Sequence, residues 1–200
     1  VFDAIYDRLM EPTAAGGYGG KLYESIAPNE DFTVWTAVLR GGVTFHNGKA
    51  LDAQNIADMF PVQQSGAAGA GGVSSANLVD VQATGDFEVT YTLSQPNSAF
   101  PAFLSRGALG MVFDAELAVA DPDAYNENPI GTGPFMFESR DIDNETIAVR
   151  YDGYWMSDPE GNQLPYLDKI SFRPIPDEGT RLDATLSGTT QAAHTLRPGT

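Results

Sequence analysis

The chain has 200 residues with 11 Lys and Arg against 27 Asp and Glu, a formal net charge of -16, no cysteine and 42% hydrophobic residues. Residues 1–100 carry 4 basic and 11 acidic groups and residues 101–200 carry 7 and 16, an even acidic field that repels phosphate backbones and anionic lipid and so excludes nucleic-acid and membrane-surface partners. Lack of cysteine excludes disulfides, zinc-thiolate sites and thiol nucleophiles, and no apolar run approaches the roughly 20 residues that span a bilayer.

Val1, Ile5, Leu9 and Met10, with Phe2 and Tyr6, recur at helical spacing and predict a short amphipathic helix ended by Pro12 and Gly16-Gly17. Residues 22–27 and 34–39 mix β-branched, aromatic and apolar side chains and read as strands, with residues 28–31 turning between them. Asn47-Gly48 turns the chain, and Asp52 is placed to cap a helix through Ala53, Ile56, Ala57 and Phe60. Residues 65–72, SGAAGAGG, read as a flexible loop because of their glycine entropy.

Residues 77–83 and 87–93 predict a hairpin across Thr84-Gly85-Asp86. Pro96 stops its second strand, and Phe100, Phe103 and Leu104 follow as a short apolar helix. Asp114 caps a further helix to Ala120, residues 135–138 and 146–150 form a second hairpin, residues 170–174 a strand, and residues 178–186 a helix ended by Gly188. Strands interleaved with short helices make a mixed α/β class.

Catalytic patterns are missing. His46 and His194, the two histidines, lie outside any H-E-x-x-H spacing, and His46 reads as a turn or sheet-edge hydrogen-bonding group. There is no G-x-S-x-G elbow and no Walker loop, and Gly131-Thr132-Gly133 lacks the third glycine of a dinucleotide fingerprint. Asp141, Asp143 and Glu145 alternate like the start of a calcium loop, but Thr146 replaces its glycine and Asp152 its closing Glu, so the segment reads as a solvated hairpin tip. No catalytic residue, metal ligand or cofactor is assigned. Tyr151, Tyr154, Trp155, Tyr166 and Leu167 read as packing between elements.

Four segments carry a resemblance: WTAVLRGGVTFHNGKALDAQNIA at residues 35–57, NPIGTGPF at 128–135, YDGYW at 151–155 and LPYLDKISFRPIPDEGTR at 164–181. In this order they resemble the family 5 extracytoplasmic solute-binding proteins, the peptide, nickel and oligosaccharide receptors of ABC importers. The resemblance implies a periplasmic-binding-protein type II-like lobe I fragment with the second lobe absent. Residues 1–49 and 151–200 would form the main part of that lobe and residues 50–150 an inserted subdomain. It also implies a segment 60–75 shorter than in relatives, and an export signal outside the given sequence.

The implied function is non-catalytic capture of a small peptide or other small solute and delivery to permease subunits, at the periplasmic or extracellular face of the cytoplasmic membrane. The ligand-binding candidates by resemblance are Tyr6, Arg8, Leu9 and Met10 beside Asp7, Phe103 and Arg106 within residues 103–107, and the backbone of Gly131 and Gly133. Arg106 would meet a ligand carboxylate. Two other readings stay open at this level: a metal-assisted hydrolase on an α/β scaffold, and a sensory or chaperone-like interaction module.

Overall fold

Alternation in two strands decides where the core lies: on residues 34–39 Trp35, Ala37 and Leu39 are buried, and on residues 88–93 Val89, Tyr91 and Leu93 are. The computed structural model describes residues 2–194; Val1 of the expected helix and residues 195–200 lie outside them. The elements are α1 (Phe2–Ile5), β1 (Met10–Pro12), β2 (Tyr18–Gly20), β3 (Tyr23–Pro28), β4 (Val34–Leu39), α2 (Ala53–Ser65), α3 (Ala70–Ser75), β5 (Leu78–Ala83), β6 (Glu88–Leu93), α4 (Phe100–Ser105), α5 (Ala115–Ala120), α6 (Pro122–Glu127), β7 (Phe135–Asp141), β8 (Glu145–Arg150), β9 (Lys169–Phe172) and α7 (Glu178–Leu186).

The main sheet is antiparallel in the order β3-β4-β6-β5. Its register sets Trp35 opposite Tyr91 and Ala37 opposite Val89, so the buried faces of β4 and β6 meet side chain to side chain. Helix α2 lies over this face with Ile56 and Met59 buried. Burying each such side chain contributes about 1.5–3 kcal/mol. Asp52 starts α2 by accepting from the Asn55 amide at 2.8 Å. Pro61 inside α2 lacks the amide for its own turn. Strands β7, β8 and β9 form a separate antiparallel sheet in which only Phe135 and Ala148 are buried.

Three expectations are corrected and one element is added. The predicted N-terminal helix shrinks to α1, because the Leu9 amide donates to Gly110 O at 2.9 Å while the Leu9 carbonyl accepts from Lys21 and Tyr23, and Met10–Pro12 pairs with Tyr18–Gly20. Tertiary pairing here overrides a helical spacing, and Gly16 (φ 84°) and Gly17 (φ 86°) become the tight turn of the β1-β2 hairpin. The expected loop at residues 65–72 is instead a turn leading into α3, packed closely enough that a Cβ at Gly69 would stand 2.3 Å from Gln63 O. Helix α6 was not foreseen; Asp121 caps it, accepting from Ala124 N at 3.0 Å, and Pro122 opens it. Tyr166 and Leu167, taken as packing residues, are 67% and 60% exposed.

The expected subdomain boundary between residues 49 and 50 meets a continuous sheet, since β4 on one side of it pairs with β6 on the other. The boundary between residues 150 and 151 likewise separates β8 from its neighbour β9. One apolar cluster runs from Leu9 to Ala115, which groups β1 and β3–β6 with α2–α5.

Candidate functional site

Tyr6, Asp7 and Arg8 follow α1 directly, and three different fates await them. Asp7 is fully buried and its carboxylate accepts three donors: Lys21 Nζ at 2.8 Å, Trp155 Nε1 at 2.9 Å and Tyr154 OH at 3.1 Å. A buried charge is tolerable only when paired and hydrogen-bonded in this way. Burial first, and then the Asp7 carboxylate, hold the Tyr154 phenol well above its ordinary range, so it stays a donor. The Arg40 guanidinium lies 4.9 Å from the centre of the Trp155 ring and extends the cluster.

Arg8 commits all three guanidinium nitrogens to protein partners: Nε and Nη2 donate to Asp3 at 2.9 and 2.6 Å, and Nη1 donates to Gly107 O at 3.0 Å. Tyr6 is buried and its hydroxyl meets that of Tyr125 at 2.8 Å. Around these groups opens a cleft of about 390 Å³, lined by Asp3, Tyr6, Arg8, Glu11, Lys21 and Arg106 among others. Asp3 is engaged by Arg8 and Lys21 by Asp7. The charged ends of Glu11 and Arg106 are exposed and make no ion pair or hydrogen bond among the described residues. The cleft therefore offers one free carboxylate and one free guanidinium.

A second cleft, of about 310 Å³, opens between α3 and α4 and is lined by Gly72, Ala102, Phe103, Ala108 and Leu109. Arg106 and Gly107 line both clefts. The turn that carries them has Gly107 at φ 63°, a conformation suited to glycine, and its carbonyl is the one that Arg8 holds.

Of the candidates named in the sequence, Tyr6, Arg8 and Arg106 come together at the first cleft and Phe103 with Arg106 at the second. Leu9 and Met10 do not: they are 1% and 3% exposed and belong to the core, and Met10 pairs with Gly20 in the β1-β2 hairpin. Gly131 and Gly133 serve close packing: a Cβ at either would stand 2.2 Å or 2.7 Å from the Ile5 carbonyl oxygen. Glu11 and Lys21 were not singled out in advance, because nothing periodic marks a residue brought to a cleft by a two-stranded hairpin.

His46 fastens this glycine loop. Its Nε2 lies 2.9 Å from Gly133 O, and the Gly131 amide donates to Nδ1 at 3.4 Å. The pair of contacts requires the neutral ring with the proton on Nε2. Burial lowers the His46 pKa, against smaller raising effects from Gly133 and Asp7. Tyr151 packs edge-on against the ring at 5.1 Å and donates to Phe45 O at 2.9 Å. His194, the other histidine, offers its carbonyl to Arg181 at 3.1 Å. At the calcium-like segment Asp141 accepts from the Asn144 amide side chain at 2.8 Å and Glu145 from Ser171 at 2.7 Å. Among the described residues no cluster of three or more His, Cys, Asp or Glu is arranged to hold a metal ion, and no helix is long and apolar enough to cross a membrane.

Known proteins share this architecture. The chain is 31% identical over 189 residues to the nickel-binding periplasmic protein of Escherichia coli K12, covering 92% of this chain and 34% of that protein. It is 28% identical over 203 residues to the glutathione-binding protein GsiB of Pectobacterium atrosepticum, covering 95% and 38%. The solved structure of the periplasmic binding protein DppA from Helicobacter pylori, in complex with the peptide STSA, superposes with a TM-score of 0.76 at 26% identity, over 93% of this chain and 40% of that one. The chain thus spans between a third and two fifths of the length of these relatives, and its mixed α/β fold is that of a periplasmic-binding-protein lobe fragment. Residues 17–200 match the family described as bacterial extracellular solute-binding proteins, family 5, middle region, and the chain belongs to that family.

Proposed function

We propose that the chain is part of a non-catalytic receptor, exported to the outer face of the cytoplasmic membrane, that captures short peptides and hands them to the permease subunits of an ABC importer. The observation that carries the peptide reading is the first cleft, where, of its lining residues, Glu11 and Arg106 alone carry charges with no partner among the described residues. One free anion and one free cation suit a zwitterion whose ammonium and carboxylate lie at opposite ends. Arg8 and Lys21, engaged by Asp3 and Asp7, hold the frame instead of the solute.

Capture on this reading needs a second surface. Solute held by this wall and by a facing lobe would shift the receptor toward a closed form, since only contacts that differ between the two forms move the equilibrium. By itself the 200-residue chain then binds solute weakly. The apolar cluster from Leu9 to Ala115 favours one subdomain built on β1–β6, with the β7-β8-β9 sheet belonging to the main part of the lobe.

Calorimetry on the full-length receptor tests the assignment, using di- and tripeptides beside a nickel–histidine chelate and glutathione. Micromolar affinity for several peptides is the expected result. Binding of the chelate with no heat from any peptide would overturn it.

A further inference from the structure

The two clefts differ in character but share a rim. The first is lined by charged groups, whereas the second is walled by Gly72, Ala102, Phe103, Ala108 and Leu109, with no ionisable group of its own apart from Arg106. Its volume of about 310 Å³ is small, at the lower end of the roughly 300–1,000 Å³ of ligand pockets. Gly72 lets α3 pack closely on Leu109 at its wall: a Cβ there would approach Leu109 Cγ to 3.2 Å. Arg106 stands at the junction, its guanidinium exposed and unpaired among the described residues, on a turn braced by the Arg8 bond to Gly107 O.

We infer that the two clefts act as one site for the carboxyl-terminal residue of the solute: its α-carboxylate pairs with Arg106 on the shared rim while its aliphatic side chain enters the apolar cleft between α3 and α4. The inference rests on the capture reading above and narrows it to peptides ending in a residue such as leucine. Charge complementarity fixes the direction. An anion at Arg106 leaves the peptide's ammonium end for the side of the first cleft that Glu11 lines. An acidic last residue is disfavoured, because its second carboxylate would lose its water in an apolar slot that offers no partner besides Arg106. Arg8 is a positioning residue in this scheme, acting through Gly107 and touching no solute.

The same end group exists on a free amino acid, so the test carries both sources. The full-length receptor is titrated with Gly-Gly-Leu, Gly-Gly-Gly, Gly-Gly-Asp, the carboxamide of Gly-Gly-Leu, and free leucine. Gly-Gly-Leu should exceed both Gly-Gly-Asp and the carboxamide by about tenfold or more, the worth of one charge-assisted contact. Arg106→Gln should weaken Gly-Gly-Leu by a similar factor while leaving the carboxamide unchanged. Ala102→Leu, which narrows the apolar cleft, should abolish the preference for leucine over glycine at the last position. Urea midpoints of both variants show whether they are folded. Free leucine binding as tightly as Gly-Gly-Leu keeps the cleft assignment and names an amino acid as its source. Peptide binding indifferent to the last residue and to Arg106→Gln overturns the inference and leaves the peptide reading standing. Absence of all binding by these probes, with the chelate bound, overturns both.

Discussion

Replacing Asp7 by Asn tests the buried cluster with almost no change of shape. Asp7 has no exposed surface and receives Lys21, Trp155 and Tyr154 at 2.8, 2.9 and 3.1 Å. Whichever way the new amide turns, its NH₂ faces either the Trp155 N–H or the Lys21 ammonium, so one charge-assisted bond worth about 1.5–3 kcal/mol becomes a donor facing a donor. The Lys21 side chain is 22% exposed and regains some water, which limits the added loss of the ion pair. The sum is a destabilisation of about 2–4 kcal/mol for Asp7→Asn, and about 3–5 kcal/mol for Asp7→Ala, which leaves the Tyr154 and Trp155 donors unpaired. Against a typical total of about 5–15 kcal/mol this is a large fraction. Urea unfolding followed by the fluorescence of Trp35 and Trp155 measures it. An Asp7→Asn midpoint shift equivalent to under about 0.5 kcal/mol would refute the claim that the Trp155 and Tyr154 bonds tie the segment after α1 to the YDGYW motif, with Lys21 joined to the same carboxylate.

Two further outcomes are expected. Folded His46 has a lowered pKa while the unfolded chain keeps the ordinary value of 6.5, so the unfolded state binds the extra proton more readily; stability is full above that value and declines as pH falls from 6.5 toward the lowered one. Urea midpoints at several pH values across that range should show the decline in the wild type and a smaller one in His46→Gln. Gly131→Ala forces a Cβ to 2.2 Å from Ile5 O and should cost about 1–3 kcal/mol or more in thermal unfolding, whereas Gly71→Ala, which meets nothing within 4 Å, should gain about 0.4–1 kcal/mol.

Strands were legible where one face is buried and the other is not. Trp35, Ala37 and Leu39 on β4 and Val89, Tyr91 and Leu93 on β6 alternate cleanly, and their elements end within a residue or so of the reading. Caps were legible too, because Asp52 and Asp114 act on amides three residues away and need no distant partner. Residues 8–12 misled because their apolar spacing fits a helix, yet their backbone groups find partners at Gly110, Lys21, Tyr23 and Gly20, none of them local. The glycine-rich stretch misled for the converse reason: flexibility was inferred from entropy, while Gly69 and Gly72 are there to admit Gln63 and Leu109 at close range.

The cleft divides the same way. Arg106 and Phe103 were within reach because the resemblance points to the segment after the first hairpin, and the first of them is a charged group left on the surface there. Leu9 and Met10 were named because the resemblance points to the segment after the first helix as a whole, and burial removes these two from the surface. Glu11 and Lys21 escaped notice because their significance depends on who is already paired: Lys21 matters by neutralising Asp7, and Glu11 by being left over.

The seam between β4 and β6 has a consequence for biosynthesis. Val38 lies opposite Glu88, 50 residues further on, whereas Asp141 and Glu145 of the β7-β8 hairpin are separated by 4. Closing the longer span costs about 2 kcal/mol more in chain entropy. On a ribosome adding roughly 5–20 residues per second, the edge of β4 emerges roughly 3–10 s before β6, the strand that pairs with it. During that interval the nascent polypeptide displays a half-made sheet, and a chaperone that holds exposed strands would find its binding site there.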